Sequence, residues 1–273
     1  MKFAVSNIAL PAYNHRIELS QLASLGLSGL EVAPSRIWQE TWLGLSASEV
    51  SGYRREVEQA GLSVVGLHSL LFDQPELGLF QDTRTTKRTL DFFTHLSGVC
   101  RDLGGKTLIW GGGRHRGDVP ENDAYDEAIS FMGELTHRIE SHGTCFCFEP
   151  LGPADSDFIN SVYDSIKIVE AVNHPALKVQ LDAKALAENG EVKEAVFCDA
   201  APYITHFHAN EPGLGVIGST GKVPHDQIAS FLYKINYSGF VSIEQRMLDA
   251  GRALKDIEAS YLFLDTSYSR IAL

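Results

Sequence analysis

Three acidic residues and one histidine stand at the ends of four consecutive apolar runs in the second half of the chain. They are Glu149, Asp182, His208 and Glu244. If these ends converge, like charges repel strongly in a poorly solvated space, and burying them together is costly unless a cation is present. The pattern therefore predicts one divalent metal ion, with a network of salt bridges as the alternative. Oxygen-rich ligands with one imidazole favour Mn²⁺ or Mg²⁺, with Co²⁺ or Zn²⁺ as further candidates.

Convergence requires a fold that brings strand ends to one edge. Short apolar runs alternate with amphipathic stretches, and eight runs end about 34 residues apart, the size of one strand–helix unit. This alternation predicts an α/β fold, a single (β/α)8 TIM barrel forming one domain over residues 1–273. An open doubly wound sheet is the alternative, but no GxGxxG motif follows the first strand. The predicted strands span 2–6, 28–32, 63–68, 107–110, 145–149, 178–182, 205–208 and 241–244, and the predicted helices span 19–25, 48–59, 87–103, 123–141, 162–172, 192–198, 226–235 and 252–265.

The period-two alternation of strand side chains assigns the residues that point into this barrel. In the fifth strand, Phe146 and Phe148 are expected beneath the helices, so Glu149 points inward. Applied to every strand, the rule gives eight inward residues at the C-terminal ends: Ser6, Glu31, His68, Trp110, Glu149, Asp182, His208 and Glu244. In TIM barrels this face carries the chemistry, which makes it the predicted site.

Other residues near this face are candidate contacts for a substrate. They are His68, Trp110, Glu31, Lys184, Arg246 and Asp155. His68 could hold a hydroxyl or carbonyl, Glu31 could orient a hydroxyl or pair with a neighbour, and Trp110 could form an apolar wall for a sugar face. Lys184 and Arg246 could bind an anionic group or form salt bridges at the rim.

A local basic cluster, Arg114-His115-Arg116, follows the glycine run Gly111-Gly112-Gly113. The cluster could bind a phosphate group, but a solvated loop is the favoured interpretation.

At the strand ends the sequence resembles the xylose isomerase-like superfamily of sugar isomerases and epimerases. The similarity covers nearly the whole chain and rests on four motifs in order at barrel spacing: Phe148-Glu149-Pro150, Leu181-Asp182, His206-Phe207-His208-Ala209-Asn210-Glu211 and Ser242-Ile243-Glu244. The resemblance implies that Glu149, Asp182, His208 and Glu244 are the metal ligands. In the D-tagatose 3-epimerase-like group it further implies that both glutamates act as the acid–base pair, and that the protein is a homodimer or homotetramer.

Two positions depart from the family pattern. Family epimerases often carry a histidine three residues after the strand-six aspartate and an arginine six residues after the strand-seven histidine, where this chain has Ala185 and Leu214. The identity of the sugar therefore stays open. The missing Asp-x-x-His also counts against an endonuclease IV-like nuclease.

The expected reaction moves a proton next to the carbonyl of a ketose or related polyol. Glu149 would remove this proton to give a metal-bound cis-enediolate, and Glu244 would return a proton to the opposite face and so invert the centre. Proton return at the neighbouring carbon would be aldose–ketose isomerisation. A metal-dependent dehydratase of a cyclic polyol ketone or dehydroshikimate is the alternative on the same site, and a non-catalytic sugar-binding barrel is less favoured.

The composition limits the class of partner. The chain has 23 Lys and Arg against 35 Asp and Glu, a net charge of −12, which argues against nucleic acid and anionic membranes. Its four cysteines form no CxxC motif, so neither a disulfide framework nor a cysteine-rich zinc site is expected. No apolar run of about 18 residues occurs and the N-terminus is a poor signal peptide, so we expect a cytoplasmic protein that acts on a small sugar or polyol.

Overall fold

Eight parallel strands, joined in sequence order, close into the barrel that the sequence predicts. The computed structural model describes residues 1–269. The strands are β1 Lys2–Ser6, β2 Gly29–Val32, β3 Ser63–Leu67, β4 Thr107–Trp110, β5 Cys145–Phe148, β6 Leu177–Asp182, β7 Ile204–Ala209 and β8 Phe240–Ile243. The helices are α1 Arg16–Leu25, α2 Ala47–Gln59, α3 Thr83–Leu103, α4 Glu121–Arg138, α5 Val162–Val172, α6 Ala183–Glu188, α7 Glu194–Ala200, α8 His225–Lys234 and α9 Ala253–Tyr268.

Closure of the barrel sets the positions of the candidate residues. β1 pairs with β8 in parallel, and a register shift between β6 and β7 brings Asp182 opposite His208. β3, β5 and β8 each end one residue before the predicted boundary, so His68, Glu149 and Glu244 lie just beyond their strands. Loop contacts rather than ladder hydrogen bonds must therefore fix the backbone on the far side of these three residues.

Most helix bounds shift by a few residues from the sequence prediction, and side-chain caps at the N-termini account for the two largest differences. Asp82 accepts hydrogen bonds from the backbone N–H groups of Arg84 and Thr85, so α3 begins at Thr83 rather than at residue 87. Asp182 accepts from the N–H of Ala185 at 2.7 Å, which starts α6 directly after β6. The sequence predicts a single helix between β6 and β7, at residues 192–198. The structure has two, because the short helix α6 precedes α7.

The shell between barrel and helices holds an aromatic cluster beneath α3 and α4. Trp110 packs there, with ring centroids 4.9 Å from Phe93, 5.4 Å from Phe131 and 5.3 Å from Phe148. The prediction that Trp110 points into the barrel is therefore wrong. Its neighbour Ile109 lies at the interior face instead, because a large aromatic ring gains more from packing under two helices than a branched aliphatic chain would.

Across residues 1–269, no helix is both long enough and apolar enough to cross a membrane.

Candidate functional site

The four predicted metal ligands meet at the C-terminal end of the barrel. One potential ligand atom from each of Glu149, Asp182, His208 and Glu244 lies within 4.8 Å of the others. His208 Nδ1 is 3.3 Å from Oε1 of Glu149, 3.4 Å from Oε2 of Glu244 and 3.9 Å from Oδ2 of Asp182. The strand alternation read from the sequence thus places all four side chains in one space.

The opposite nitrogen of the His208 ring is held by a buried carboxylate. Nε2 of His208 donates to Glu31, 3.1 Å from Oε1 and 3.0 Å from Oε2. The hydroxyl of Ser242 donates to the same carboxylate at 2.7 Å, and Nε2 of His206 lies 3.0 Å from it. Glu31 is fully buried and faces away from the cavity, so the prediction that it contacts substrate is wrong, and it pairs with its neighbours instead.

Within residues 1–269, the second ring nitrogen of His208, Nδ1, has no such hydrogen-bond partner. With the proton on Nε2, this buried atom carries a lone pair. Without a cation, this lone pair would face three carboxylates, which favours uptake of a second proton at Nδ1. With a cation, the same lone pair is a ligand, and the second nitrogen of a metal-bound histidine is commonly held by a carboxylate. The residues present therefore fit a divalent cation.

The electrostatics of the cluster support the same conclusion. Burial, together with Glu149 and Glu244, raises the pKa of Asp182 well above its usual range. Burial opposes ionisation of His208, yet Glu31 and Glu244 raise the pKa of its imidazole well above the usual value. A protonated histidine among partly protonated carboxylates is the cation-free solution to this crowding, and a divalent ion would replace those protons.

Asn210 is a site residue that sequence reasoning did not single out. Its Nδ2 donates to Oδ2 of Asp182 at 2.5 Å and to Oε2 of Glu244 at 2.8 Å. Its Oδ1 accepts from the backbone N–H of Lys184 at 2.9 Å, which fixes the amide orientation. The available signal was the strand alternation, since Asn210 continues the inward series of His206 and His208.

A cleft opens on each side of the two glutamates. Glu149 and Glu244 line both halves, which have volumes of about 390 and 280 Å³. The apolar residues that line the larger half include Leu71, Phe72 and Ile109. Both glutamates are therefore within reach of a molecule bound in either half of the cleft.

His68 lies at the border between the metal cluster and the larger half of the cleft. Its Nε2 is hydrogen-bonded to the hydroxyl of Ser6, and its Nδ1 lies 3.5 Å from Oε1 of Glu244. His68 is almost fully buried but lines the cleft, so it can meet both a substrate and Glu244.

The smaller half of the cleft brings together Asp155, Lys184 and Arg246. Nζ of Lys184 lies 2.5 Å from Asp155 and 3.0 Å from Glu188, which is the salt bridge that the sequence left as an alternative. Arg246 is exposed and makes no ion pair with any residue that the structure describes. Ala185 and Leu214, the two departures from the family pattern, line this same half. Both are apolar, so this half is less polar than it would be with histidine and arginine at these positions.

The comparisons with known proteins agree with this architecture. A family model described as xylose isomerase-like TIM barrel matches residues 19–265. The chain is 27% identical over 126 residues to a D-psicose 3-epimerase of Ruminiclostridium cellulolyticum, and 29% identical over 138 residues to one of Agrobacterium fabrum. These matches cover 46% and 49% of this chain and 43% and 46% of the relatives, so the chain spans less than half the length of the curated relatives it matches.

A solved structure extends the likeness of fold. The D-psicose 3-epimerase of Clostridium cellulolyticum H10, crystallised with D-tagatose, superposes with a TM-score of 0.80 and 19% identity, covering 98% of this chain and 99% of that one. At this identity the superposition shows a shared fold. Together with the family match over most of its length, it shows that the chain belongs to the xylose isomerase-like TIM barrel family.

Proposed function

We propose that this protein is a divalent-metal-dependent sugar epimerase or isomerase that works as one domain and moves a proton next to a ketose carbonyl. The observation that carries the proposal is the pair of glutamates, Glu149 and Glu244, whose carboxylate oxygens lie 3.3 and 3.4 Å from Nδ1 of His208 and which both line the two halves of the cleft. The names of the relatives, both D-psicose 3-epimerases, support the sugar class.

The metal would be held by Glu149, Asp182, His208 and Glu244, with Mn²⁺ or Mg²⁺ favoured by the three carboxylates. When bound, such an ion acts as a Lewis acid that makes the C–H bond beside a carbonyl more acidic. Glu31 keeps a proton on Nε2 of His208, and the amide of Asn210 bridges the carboxylates of Asp182 and Glu244. These contacts fix the donor atoms before any ligand arrives, which reduces the cost of ordering them.

Glu149 is suited to remove the proton. Among the described residues, no side-chain or backbone donor makes a hydrogen bond of good geometry to its carboxylate, so its lone pairs are available to a substrate C–H. Glu244 would return the proton, and a route for that proton is His68, whose Nδ1 lies 3.5 Å from Oε1 of Glu244. Removal on one face and return on the other would invert the carbon.

The remaining cleft residues would bind the hydroxyl groups. Asp155, Lys184 and Arg246 offer charged donors and acceptors at the smaller half, and His68 offers an imidazole at the other. Glu31 does not belong to this set, since it is buried against histidines. Trp110 borders the larger half of the cleft, but its ring packs under the helices.

Solvent-deuterium exchange tests the proposal. The Mn²⁺-loaded protein is incubated in D2O with a panel of ketoses and followed by NMR. We expect deuterium at the carbon next to the carbonyl, and a loss of at least about a thousandfold in Glu149→Gln and Glu244→Gln, in the range expected for removal of an acid–base group. Full exchange in either variant would exclude that residue as the base or acid. Loss of water from an inosose or dehydroshikimate, without exchange into any ketose, would favour the dehydratase instead.

A further inference from the structure

The loop after β4 contacts Glu149 in a way that its sequence did not suggest. This loop carries Gly111, Gly112, Gly113 and Arg114, which the sequence reading associated with a phosphate site or a solvated turn. Neither interpretation fits Arg114, because its side chain is fully buried. The N–H donors of a buried guanidinium must find acceptors within the protein, and those acceptors indicate the role of the residue.

The hydrogen bonds of Arg114 all go to backbone carbonyl groups. Nε donates to Gly111 at 2.5 Å, Nη1 donates to Phe158 at 2.7 Å, and Nη2 donates to the carbonyl of Glu149. The guanidinium plane also lies against the ring of Phe148, 5.8 Å from its centroid. Arg114 thus joins three segments: its own loop, the loop before α5 and the backbone at the end of β5.

Gly111 contacts the other end of Glu149. A Cβ atom placed on Gly111 would overlap Oε2 of the Glu149 carboxylate, so any side chain there would occupy the space that this oxygen fills. A Cβ on the next residue, Gly112, meets no atom within 4 Å. The steric requirement for glycine is therefore specific to position 111.

These contacts matter because Glu149 lies one residue beyond β5. Its N–H donates to the carbonyl of Trp110 at 3.3 Å, and the next contact on its backbone is the one from Arg114. We propose that Gly111 and Arg114 form a positioning unit for Glu149, in which Arg114 anchors the backbone and the missing side chain at 111 leaves room for the carboxylate to face the metal cluster. The proposal rests on the proposed function for the meaning of that position, but its geometry can be tested separately.

The test compares Gly111→Ala with Gly112→Ala, which adds the same methyl group one residue further along the same loop. Neither glycine has a positive φ, so alanine is not strained by the backbone at either position. We expect Gly111→Ala to remain folded, since the displaced atom is the end of a flexible side chain, and to bind Mn²⁺ about 10- to 100-fold more weakly by calorimetry, as for other losses of ligand positioning. Gly112→Ala should bind Mn²⁺ within about twofold of the wild type.

Crystal structures of both metal-free variants supply a readout that needs no metal and no activity. A Glu149 carboxylate displaced in Gly111→Ala but not in Gly112→Ala would support the proposal, whereas an undisplaced carboxylate or an unchanged Mn²⁺ affinity in Gly111→Ala would overturn it. A wild-type protein that binds no Mn²⁺ would instead refute the proposed function, and the displacement would still decide the positioning claim.

The part played by Arg114 is tested with Arg114→Ala. We expect weaker Mn²⁺ binding that millimolar guanidinium partly restores and that methylammonium does not, because only guanidinium can reach several carbonyl groups at once. Wild-type Mn²⁺ affinity in folded Arg114→Ala would remove Arg114 from the unit. If this variant fails to fold, the glycine pair alone decides.

Discussion

At the scale of single residues, His208 links the two layers of the site. One ring nitrogen is fixed by Glu31 from below, and the other faces Glu149, Asp182 and Glu244 above. The imidazole can therefore present only one nitrogen to a ligand, and its tautomer is set before binding. Glu31 is not one of the predicted ligands, so a substitution there tests how much the orientation of His208 contributes to metal binding.

We predict that Glu31→Gln weakens Mn²⁺ binding by about 10- to 100-fold, because a glutamine has only one acceptor oxygen and no negative charge with which to hold both His206 and His208. Isothermal titration of the metal-free protein with Mn²⁺ measures the change. Ser242→Ala, which removes one neutral donor to the same carboxylate, should have a smaller effect. Equal affinities for Glu31→Gln and the wild type would show that the imidazole is held by other contacts.

Residues whose positions follow from the pattern of a single strand could be predicted, and residues whose role depends on a distant partner could not. Strand alternation alone was enough to bring the four candidate ligands together. The role of Glu31 was not readable, because its partner His208 lies 177 residues away in the sequence and either a substrate hydroxyl or a histidine could satisfy a buried carboxylate. Asn210 belongs to the strand-seven motif, but an amide carries no charge that marks it as a metal-site residue.

At the scale of elements, β4 shows where the alternation rule fails. A four-residue strand has two residues per face, and its register was set in the sequence reading by counting from the strand end. The packing of Trp110 against Phe93 and Phe148 decided the orientation in favour of the opposite face. Side-chain volume in the shell is a tertiary property, and a short strand offers too few residues to reveal it.

We therefore predict that Trp110→Ala lowers the free energy of unfolding by about 3–5 kcal/mol, the usual cost of emptying a large buried aromatic site. Urea denaturation measures this change. Phe72, which lies on the cleft wall and is 77% exposed, is the matched aromatic control, and Phe72→Ala should alter stability by less than about 0.5 kcal/mol. A Trp110→Ala variant of wild-type stability would contradict this packing.

The N-terminus of α5 predicts a pH-dependent stability. Burial, with the nearby charge of Asp164, raises the pKa of Glu191 to about 7, although its carboxylate accepts from the N–H of Val162. Because this carboxyl binds its proton more tightly in the folded chain than in the unfolded one, its contribution to stability is complete below pH 4.5 and is lost as the pH rises towards 7.

Urea denaturation of the wild type and Glu191→Gln between pH 5 and 7.5 tests this expectation. The wild type should lose about 1–2 kcal/mol relative to the variant over that range, after allowance for partial solvent screening. Asp126→Asn, on an exposed face of α4, should follow the wild-type profile. Parallel curves for the wild type and Glu191→Gln would contradict the assignment.

At the scale of the whole molecule, the barrel explains why residues from distant parts of the sequence can act together. All eight strands run in one direction, so their C-terminal ends form one rim, and the alternation of strands and helices was sufficient to predict that closure. The family match over residues 19–265 agrees with this fold. What the alternation could not predict is that Asp155 and Arg246 line the same half of the cleft, because both lie in loops whose conformation the strand pattern does not fix.

The central claim is that the carboxylate cluster is a metal centre, and the metal content of the purified protein tests it most directly. Elemental analysis is made on the wild type and Asp182→Asn after incubation with Mn²⁺ or Mg²⁺ and removal of free ion. We predict about one divalent ion per chain in the wild type, as expected for a single four-residue site, and its loss in the variant. A wild type that retains no metal under either condition would contradict the account and leave the cluster as a network of buried ion pairs.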